Sequence, residues 1–119
     1  MNLPELLRWQ WEGYPRAHGN PVNLWLHILT APFYWAGTVL LVLALLRLSW
    51  LLLVIGLVCI LVTLLAQGRG HKLEANPPAP FTSPWNFIAR LFLEQWITFP
   101  RFVLSGGWAR NLAAGRDGR

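Results

Sequence analysis

Two long apolar stretches dominate the chain, and only a short polar interruption separates them. Residues 28–46 are nearly all apolar, and residues 50–66 are apolar again after the sequence Arg47-Leu48-Ser49. At ~1.5 Å per residue, helices of this length with their flanks span a hydrocarbon core of roughly 30 Å. The pattern therefore predicts two antiparallel membrane helices. One continuous buried helix is disfavoured, because a charge at its centre, Arg47, would cost roughly 3 kcal/mol.

Less hydrophobic segments flank this hairpin on both sides. Residues 3–12 have the spacing of a short amphipathic helix, and Gly13 and Pro15 predict that regular structure stops after it. Residues 77–84 are proline-rich and predict an irregular connection. Residues 111–119 are rich in glycine and arginine and predict a disordered tail.

A third apolar segment, residues 85–104, also carries charged side chains. Its pattern predicts an interfacial or partly inserted helix that bends near Pro100. Arg90 and Glu94 are four residues apart, so we expect them to pair on the helix surface. The expected fold is all-α: an integral membrane hairpin with interfacial amphipathic helices, in one domain over residues 1–110.

The composition supports a membrane protein and argues against a nucleic-acid-binding one. Hydrophobic residues make up 55% of the 119 residues and charged residues only 13%, which is too apolar for a soluble domain. The net charge is +5, but the arginines flank apolar segments and form no compact basic run, as suits anionic lipid headgroups. Cys59 is the only cysteine, so one chain cannot form a disulfide or a cysteine metal site.

The placement of positive charge predicts the orientation of the hairpin. Of the ten lysine and arginine residues, only Arg47 lies in the hairpin turn. The positive-inside rule therefore places both termini on the cytoplasmic side.

The three histidines lie at the two ends of the apolar region. His18 and His27 precede or begin it, and His71 follows it, so closing the hairpin brings all three to one membrane face. Imidazole suits Fe, Zn, Cu and Ni, and three imidazoles leave coordination positions open for substrate. Glu74 follows His71 by three residues and is a candidate fourth ligand or a carboxylate that orients a ligand histidine.

Each of these residues also has a simpler interpretation. A single histidine at a membrane interface commonly contacts a headgroup or the backbone, and Glu74 could pair with Arg69 or Lys72. Two alternatives to a redox enzyme therefore stay open. One is a non-catalytic lipid-binding or assembly protein with structural histidines, and the other is a zinc-dependent membrane hydrolase with Glu74 as general base.

The histidines stand in a two-part motif that flanks the hairpin. It consists of His18-x-x-Pro21-x-Asn23-x-x-x-His27 and then Gln67-x-x-Gly70-His71-x-x-Glu74-x-x-x-Pro78-Ala79. Over roughly residues 14–110, this order resembles the membrane 2-hydroxy fatty acid dioxygenases, which are fungal endoplasmic-reticulum enzymes of phytosphingosine breakdown and their bacterial relatives.

The resemblance implies an Fe(II)-dependent α-oxidation that uses O2 and shortens a 2-hydroxy fatty acid by one carbon. By motif position, His18, His27 and His71 are the implied iron ligands, and Glu74 occupies the acidic position. All four are our candidate catalytic residues. The implied partners are the 2-hydroxy fatty acid and membrane lipids, with a homo-oligomer possible.

Three amide side chains in or beside the motif are candidate substrate-binding residues. Asn20 and Asn23 have amides that suit an imidazole N–H or a substrate carboxylate, and Gln67 lies in the second half of the motif. The chain departs from the family pattern at Leu73, where an aromatic residue is common. The resemblance implies a bacterial inner-membrane protein, whereas the fungal relatives reside in the endoplasmic reticulum.

Overall fold

The computed structural model describes residues 1–117, and no β-strand is present in this range. The all-α fold predicted from the apolar pattern is confirmed. In chain order the elements are α1 (Leu3–Ala17), α2 (Pro21–Arg47), α3 (Trp50–His71), α4 (Pro84–Leu93), a π-helical turn (Glu94–Thr98), α5 (Phe99–Leu104) and α6 (Gly107–Asp117).

The two long helices α2 and α3 form the predicted antiparallel hairpin. Leu48 ends α2 in a left-handed conformation, with φ of 49°. Ser49 then starts α3, because its hydroxyl accepts a hydrogen bond from the Leu52 N–H at 3.2 Å. The chain therefore reverses direction within two residues.

The two helices approach each other closely where two glycines face each other. A Cβ added to Gly37 would lie 2.8 Å from the Gly56 carbonyl oxygen, and one added to Gly56 would lie 3.0 Å from the Gly37 carbonyl oxygen. Small residues allow membrane helices to gain van der Waals contact along their backbones. We therefore propose that this pair sets the crossing point of the hairpin.

The hairpin has the character of a membrane segment. By length and composition, α2 and α3 can each cross a bilayer, with mean hydropathies of 1.9 and 2.6 in their most apolar windows. Only 28% and 17% of those windows are buried, whereas the core helix of a soluble protein is mostly buried. Large apolar side chains such as Leu51 and Leu65 are exposed. These features suggest a membrane protein.

Helix α1 continues past Gly13 and Pro15 to Ala17, so the expected break at these residues does not occur. Pro15 lies in the last turn, where the missing N–H costs one backbone hydrogen bond. The burial of Tyr14, which is 3% exposed, favours keeping this turn helical. As a result, His18 becomes the residue that ends α1.

The C-terminal segment is helix α6 as far as Asp117, and not the predicted disordered tail; residues 118 and 119 lie outside the described part. Side-chain hydrogen bonds attach α6 to the rest of the fold. The Trp108 indole donates to the Leu24 carbonyl at 2.8 Å, and the Asn111 amide donates to the carbonyls of Pro15 and His18. Composition alone does not reveal such tertiary contacts.

The hydrophobic core lies at the open end of the hairpin, where α1, α2, α5 and α6 meet. It is therefore next to the histidines and not between the distal turns of α2 and α3. Its buried members are Tyr14, Leu24, Ala31, Phe99 and Phe102.

We expect Gly37→Ala to destabilise the hairpin, because the added Cβ would overlap both the Gly56 carbonyl and the Ile60 side chain. Overpacking of this kind costs roughly 1–3 kcal/mol. Thermal unfolding in detergent micelles measures the change. Gly68→Ala is the matched control, since its Cβ would meet nothing within 4 Å. Equal melting temperatures for the two variants would contradict the proposed crossing point.

Candidate metal centre

Four side chains from four different elements converge at the open end of the hairpin. His18 ends α1, His27 lies in the second turn of α2, His71 is the last residue of α3, and Glu94 is the first residue of the π-helical turn. Their potential ligand atoms all lie within 4.8 Å of one another, so the group could hold a metal ion. The predicted convergence of the three histidines at one end is confirmed.

Backbone hydrogen bonds orient two of the imidazoles. The Nδ1 atom of His18 lies 2.9 Å from the Tyr14 carbonyl oxygen, and that of His27 lies 3.0 Å from the Asn23 carbonyl oxygen. A carbonyl can only accept, so Nδ1 carries the hydrogen in both rings and Nε2 has a free lone pair. A ligand histidine is typically held in this way.

The free imidazole nitrogens are buried and have no hydrogen-bond partner. They are His18 Nε2, His27 Nε2 and His71 Nδ1, three of the four such side-chain atoms in residues 1–117. Leaving a buried polar atom unsatisfied costs roughly 1–3 kcal/mol. A cation bound between the nitrogens would satisfy all three, so these residues fit a metal site.

The distances within the group also suit one ion. Glu94 Oε2 lies 3.4 Å from Nε2 of both His18 and His27. Two ligands bound ~2.1 Å from one ion at a tetrahedral angle are about 3.4 Å apart. The three imidazole rings are nearly perpendicular to one another, with interplanar angles of 80–89°. The rings are therefore packed edge to face and are not stacked on one another.

The electrostatics keep the acidic ligand ionised. Burial raises the pKa of Glu94, but its close contact with the His18 and His27 side chains outweighs burial and holds that pKa well below its usual range. Burial lowers the pKa of His18, against the opposing effect of Glu94. At neutral pH we therefore expect a carboxylate and a neutral imidazole, the protonation states that metal ligands need. The Tyr14 hydroxyl donates a hydrogen bond to Glu94 Oε2 at 2.8 Å and fixes the carboxylate.

The π-helical turn aims Glu94 at the histidines. The Phe99 N–H bonds to the Glu94 carbonyl five residues back, which widens the helix. The Gln95 carbonyl instead accepts a hydrogen bond from the Trp35 indole at 2.6 Å. The sequence predicted an irregularity near Pro100, and the structure places it in the turn before that proline. Single π turns recur at functional sites.

Glu94 was not among the ligands predicted from the sequence, because its spacing from Arg90 suggested a surface ion pair. No such pair forms among the described residues: Arg90 instead donates to the carbonyls of Pro80 and Ala79 at 3.1 and 2.9 Å. A usable signal was present, because Glu94 is the only acid in the third apolar segment. Ionisable residues in such segments usually have functional roles.

Glu74 lies outside the group of ligand atoms, in a different role from the ligand or base that the sequence suggested. Its carboxylate accepts hydrogen bonds from the Gly19 N–H at 3.0 Å, the Asn20 N–H at 3.0 Å and the Asn23 side-chain amide at 2.6 Å. It therefore ties the end of α3 to the loop between α1 and α2. In that position it holds His18 and His27 in register.

The three candidate substrate-binding amides also have structural contacts. The Asn20 side chain caps α2, and Asn23 is fully buried beside Glu74. Gln67 forms a reciprocal pair with Gln95, at 3.1 and 2.6 Å. Of the three, only Gln67 lines the cavity next to the candidate metal centre.

That cavity has a volume of about 630 Å³, within the range of small-molecule sites. It lies between α1, the end of α3, α4 and the proline-rich segment. His18, His71 and Glu94 form part of its wall, so a ligand in the cavity can reach the candidate metal centre. Much of the remaining wall is apolar, including Trp9, Leu64, Pro78, Phe81, Phe87 and Leu91.

Comparison with known proteins identifies a family. The family described as 2-hydroxy-palmitic acid dioxygenase Mpo1-like matches residues 5–101, which is most of the chain. The match includes all four converging residues as well as Glu74. No curated protein and no solved structure matches the chain.

Glu94→Gln and Glu74→Gln separate a ligand from a positioning residue. We expect Glu94→Gln to weaken metal binding about tenfold or more, because an amide is a poorer metal ligand than a carboxylate. Even the loss of a residue that only hydrogen-bonds to a metal ligand typically lowers metal affinity ~10-fold or more. Glu74→Gln should instead lower the melting temperature while the protein still binds one equivalent of metal. Metal titration of tag-free protein, from which a chelator has first removed any bound metal, measures the first effect. Thermal unfolding measures the second. The reverse result, with Glu74→Gln losing the metal and Glu94→Gln retaining it, would contradict the assignment.

Proposed function

The chain belongs to the 2-hydroxy-palmitic acid dioxygenase Mpo1-like family, and we propose that it is an Fe(II)-dependent dioxygenase of 2-hydroxy fatty acids. Its family name suggests a fatty acid dioxygenase, and its histidine and glutamate group could bind a metal. The specific reaction that we propose is α-oxidation, which yields a fatty acid one carbon shorter.

The observation that carries this proposal is the set of buried, partnerless imidazole nitrogens next to Glu94, at the wall of a largely apolar cavity. Three imidazoles and a carboxylate suit Fe(II), with positions left for other ligands. When bound, the metal would supply redox chemistry toward O2 and would attract the 2-hydroxyl group of the substrate.

The reaction balances without a further reductant. The C1–C2 bond of the 2-hydroxy acid breaks, the carboxyl carbon leaves as CO2, and C2 becomes the new carboxyl carbon. The electrons lost by the substrate reduce one O2, which contributes oxygen to the new carboxyl group and to one water. O2 is therefore the only oxidant that the site has to admit.

The side chains around the cavity have distinct roles in this proposal. The backbone carbonyls of Tyr14 and Asn23 hold the imidazole rings of His18 and His27, and the Tyr14 hydroxyl holds Glu94. The apolar walls exclude water from the reacting head of the substrate. They also offer its alkyl chain an apolar surface, to which α3 contributes Leu64.

The alternative of a zinc-dependent hydrolase is less well supported. It needs a general base, and the carboxylate proposed for that role, Glu74, is engaged by two backbone N–H groups and the Asn23 amide. A lipid-binding protein with structural histidines would give no reason for three of their nitrogens to be buried without partners. We therefore favour the redox enzyme.

The cellular setting belongs to the same proposal. We place the hairpin in a bacterial inner membrane, as the resemblance to the bacterial members of the family implies. We place both termini in the cytoplasm, because only Arg47 of the ten lysine and arginine residues lies in the hairpin turn. The substrate would then enter from the lipid phase, and a homo-oligomer is compatible with this arrangement.

The test is anaerobic reconstitution of tag-free protein with Fe(II), followed by addition of O2 and 2-hydroxypalmitate. We expect the acid one carbon shorter and an equivalent of CO2, with no turnover by His71→Ala because a ligand is lost. Lys72→Ala, which changes the neighbouring residue outside the group, should keep its activity. Absence of product from protein shown to hold iron would refute the proposal. Turnover with zinc and without O2 would favour a hydrolase.

A further inference from the structure

Arg90 is a buried cation without an acidic partner. Only 8% of its surface is exposed, and no carboxylate lies within ion-pair distance of it in the described residues. Arginine is almost never buried unless it is paired, because removing its charge from water is costly. The Arg90 guanidinium group therefore lacks the anionic partner that would offset the cost of burying its charge.

Neutral contacts hold the guanidinium group in place. One terminal nitrogen donates to the Pro80 carbonyl at 3.1 Å, and the other donates to the Ala79 carbonyl at 2.9 Å. The group also lies over the rings of Phe81 and Trp9, 4.2 and 4.9 Å from their centroids. No partner for Nε is found in the described part of the chain, so one edge of the group keeps donors to offer.

Arg90 lines the same cavity as His18, His71 and Glu94. With a divalent ion bound to the three neutral histidines and the glutamate, this end of the cavity would be positively charged. The other cation of the cavity wall is Arg16, which is exposed to solvent. The cavity therefore favours an anionic group beside Arg90 and the candidate metal centre, and an apolar group along its remaining walls.

We propose that Arg90 is the receptor for the carboxylate of a single-chain lipid, and that it thereby selects free acids over neutral lipids. This inference rests on the proposed function, whose substrate it places in the cavity. A planar guanidinium edge matches a carboxylate with two parallel hydrogen bonds, which are strong in a site of low dielectric. Anchored there, the substrate directs its first carbons toward the candidate metal centre.

The chemistry of the cavity favours a carboxylate over the phosphate of a membrane phospholipid. A single cavity of about 630 Å³ suits one alkyl chain better than the two chains of a diacyl lipid. A single guanidinium edge also matches one carboxylate, whereas phosphate sites commonly gather several donors. Phosphatidate binding is the competing outcome of the test.

The experiment measures binding without turnover, so that it does not depend on the reaction. Purified protein in detergent is titrated, without O2, with palmitate, with its methyl ester and with phosphatidate, and Trp fluorescence reports binding. We expect the wild type to prefer palmitate to the ester by about 10- to 100-fold, the usual worth of hydrogen bonds to a charged group. Arg90→Gln should lose this preference while still binding the ester as the wild type does.

The control is Arg16→Gln, which removes an exposed charge from the same cavity and should preserve the preference for the acid. Arg90→Lys should restore part of it, because the charge returns without the paired donors. If Arg90 only holds the proline-rich segment in place, its variants will weaken the binding of palmitate and of its methyl ester equally, and the proposal is wrong. Equal binding of acid and ester by the wild type, or preference for phosphatidate, overturns it without any variant.

The result is also separable from the proposed function. Palmitate has no 2-hydroxyl group and is not turned over, so acid-selective binding that depends on Arg90 would support this inference even if reconstituted protein proved inactive. The converse result is that the wild type and Arg90→Gln both catalyse α-oxidation with the same KM. That result would support the proposed enzyme activity and contradict the role of Arg90 as the carboxylate receptor.

Discussion

Three buried imidazole nitrogens lie close to one carboxylate at the open end of the hairpin, and the elements of the fold are arranged so that these groups meet there. Each nitrogen comes from a different helix, and the carboxylate comes from a π-helical turn in a fourth segment. Such groups are costly to bury without a partner. A bound cation would turn this cost into a stabilising contact that joins α1, α2, α3 and the π-helical turn. With a metal bound, the folding of the chain and the proposed chemistry would depend on the same atoms.

The supporting contacts explain why so short a chain can hold such a site. Close approach at Gly37 and Gly56 sets the hairpin, and the Glu74 carboxylate ties its two ends at the α1–α2 loop. The Gln67–Gln95 pair and the Trp35 indole attach the π-helical turn to the hairpin. The Gln67–Gln95 pair is buried and the other contacts are partly buried, so an unsatisfied group in them would be costly and the geometry is well specified.

The sequence alone predicts the parts of this structure that depend on local patterns. Apolar runs predict the hairpin, and the positions of the histidines predict their convergence. Sequence does not predict features that depend on tertiary contacts: Pro15 inside α1, helix α6 held by Trp108 and Asn111, and Glu94 turned inward. Glu74 was the natural ligand candidate because it is near His71 in sequence. In space, the acid that reaches the histidines comes from a later segment.

We infer that His18, His27, His71 and Glu94 bind one metal ion. Anomalous scattering from crystals of the iron-loaded protein tests this most directly, because it locates the ion and identifies the element. We expect a single iron peak bound by all three imidazoles and by the Glu94 carboxylate. A peak bound by Glu74, or no peak at the histidines in protein that contains stoichiometric iron, would contradict the account.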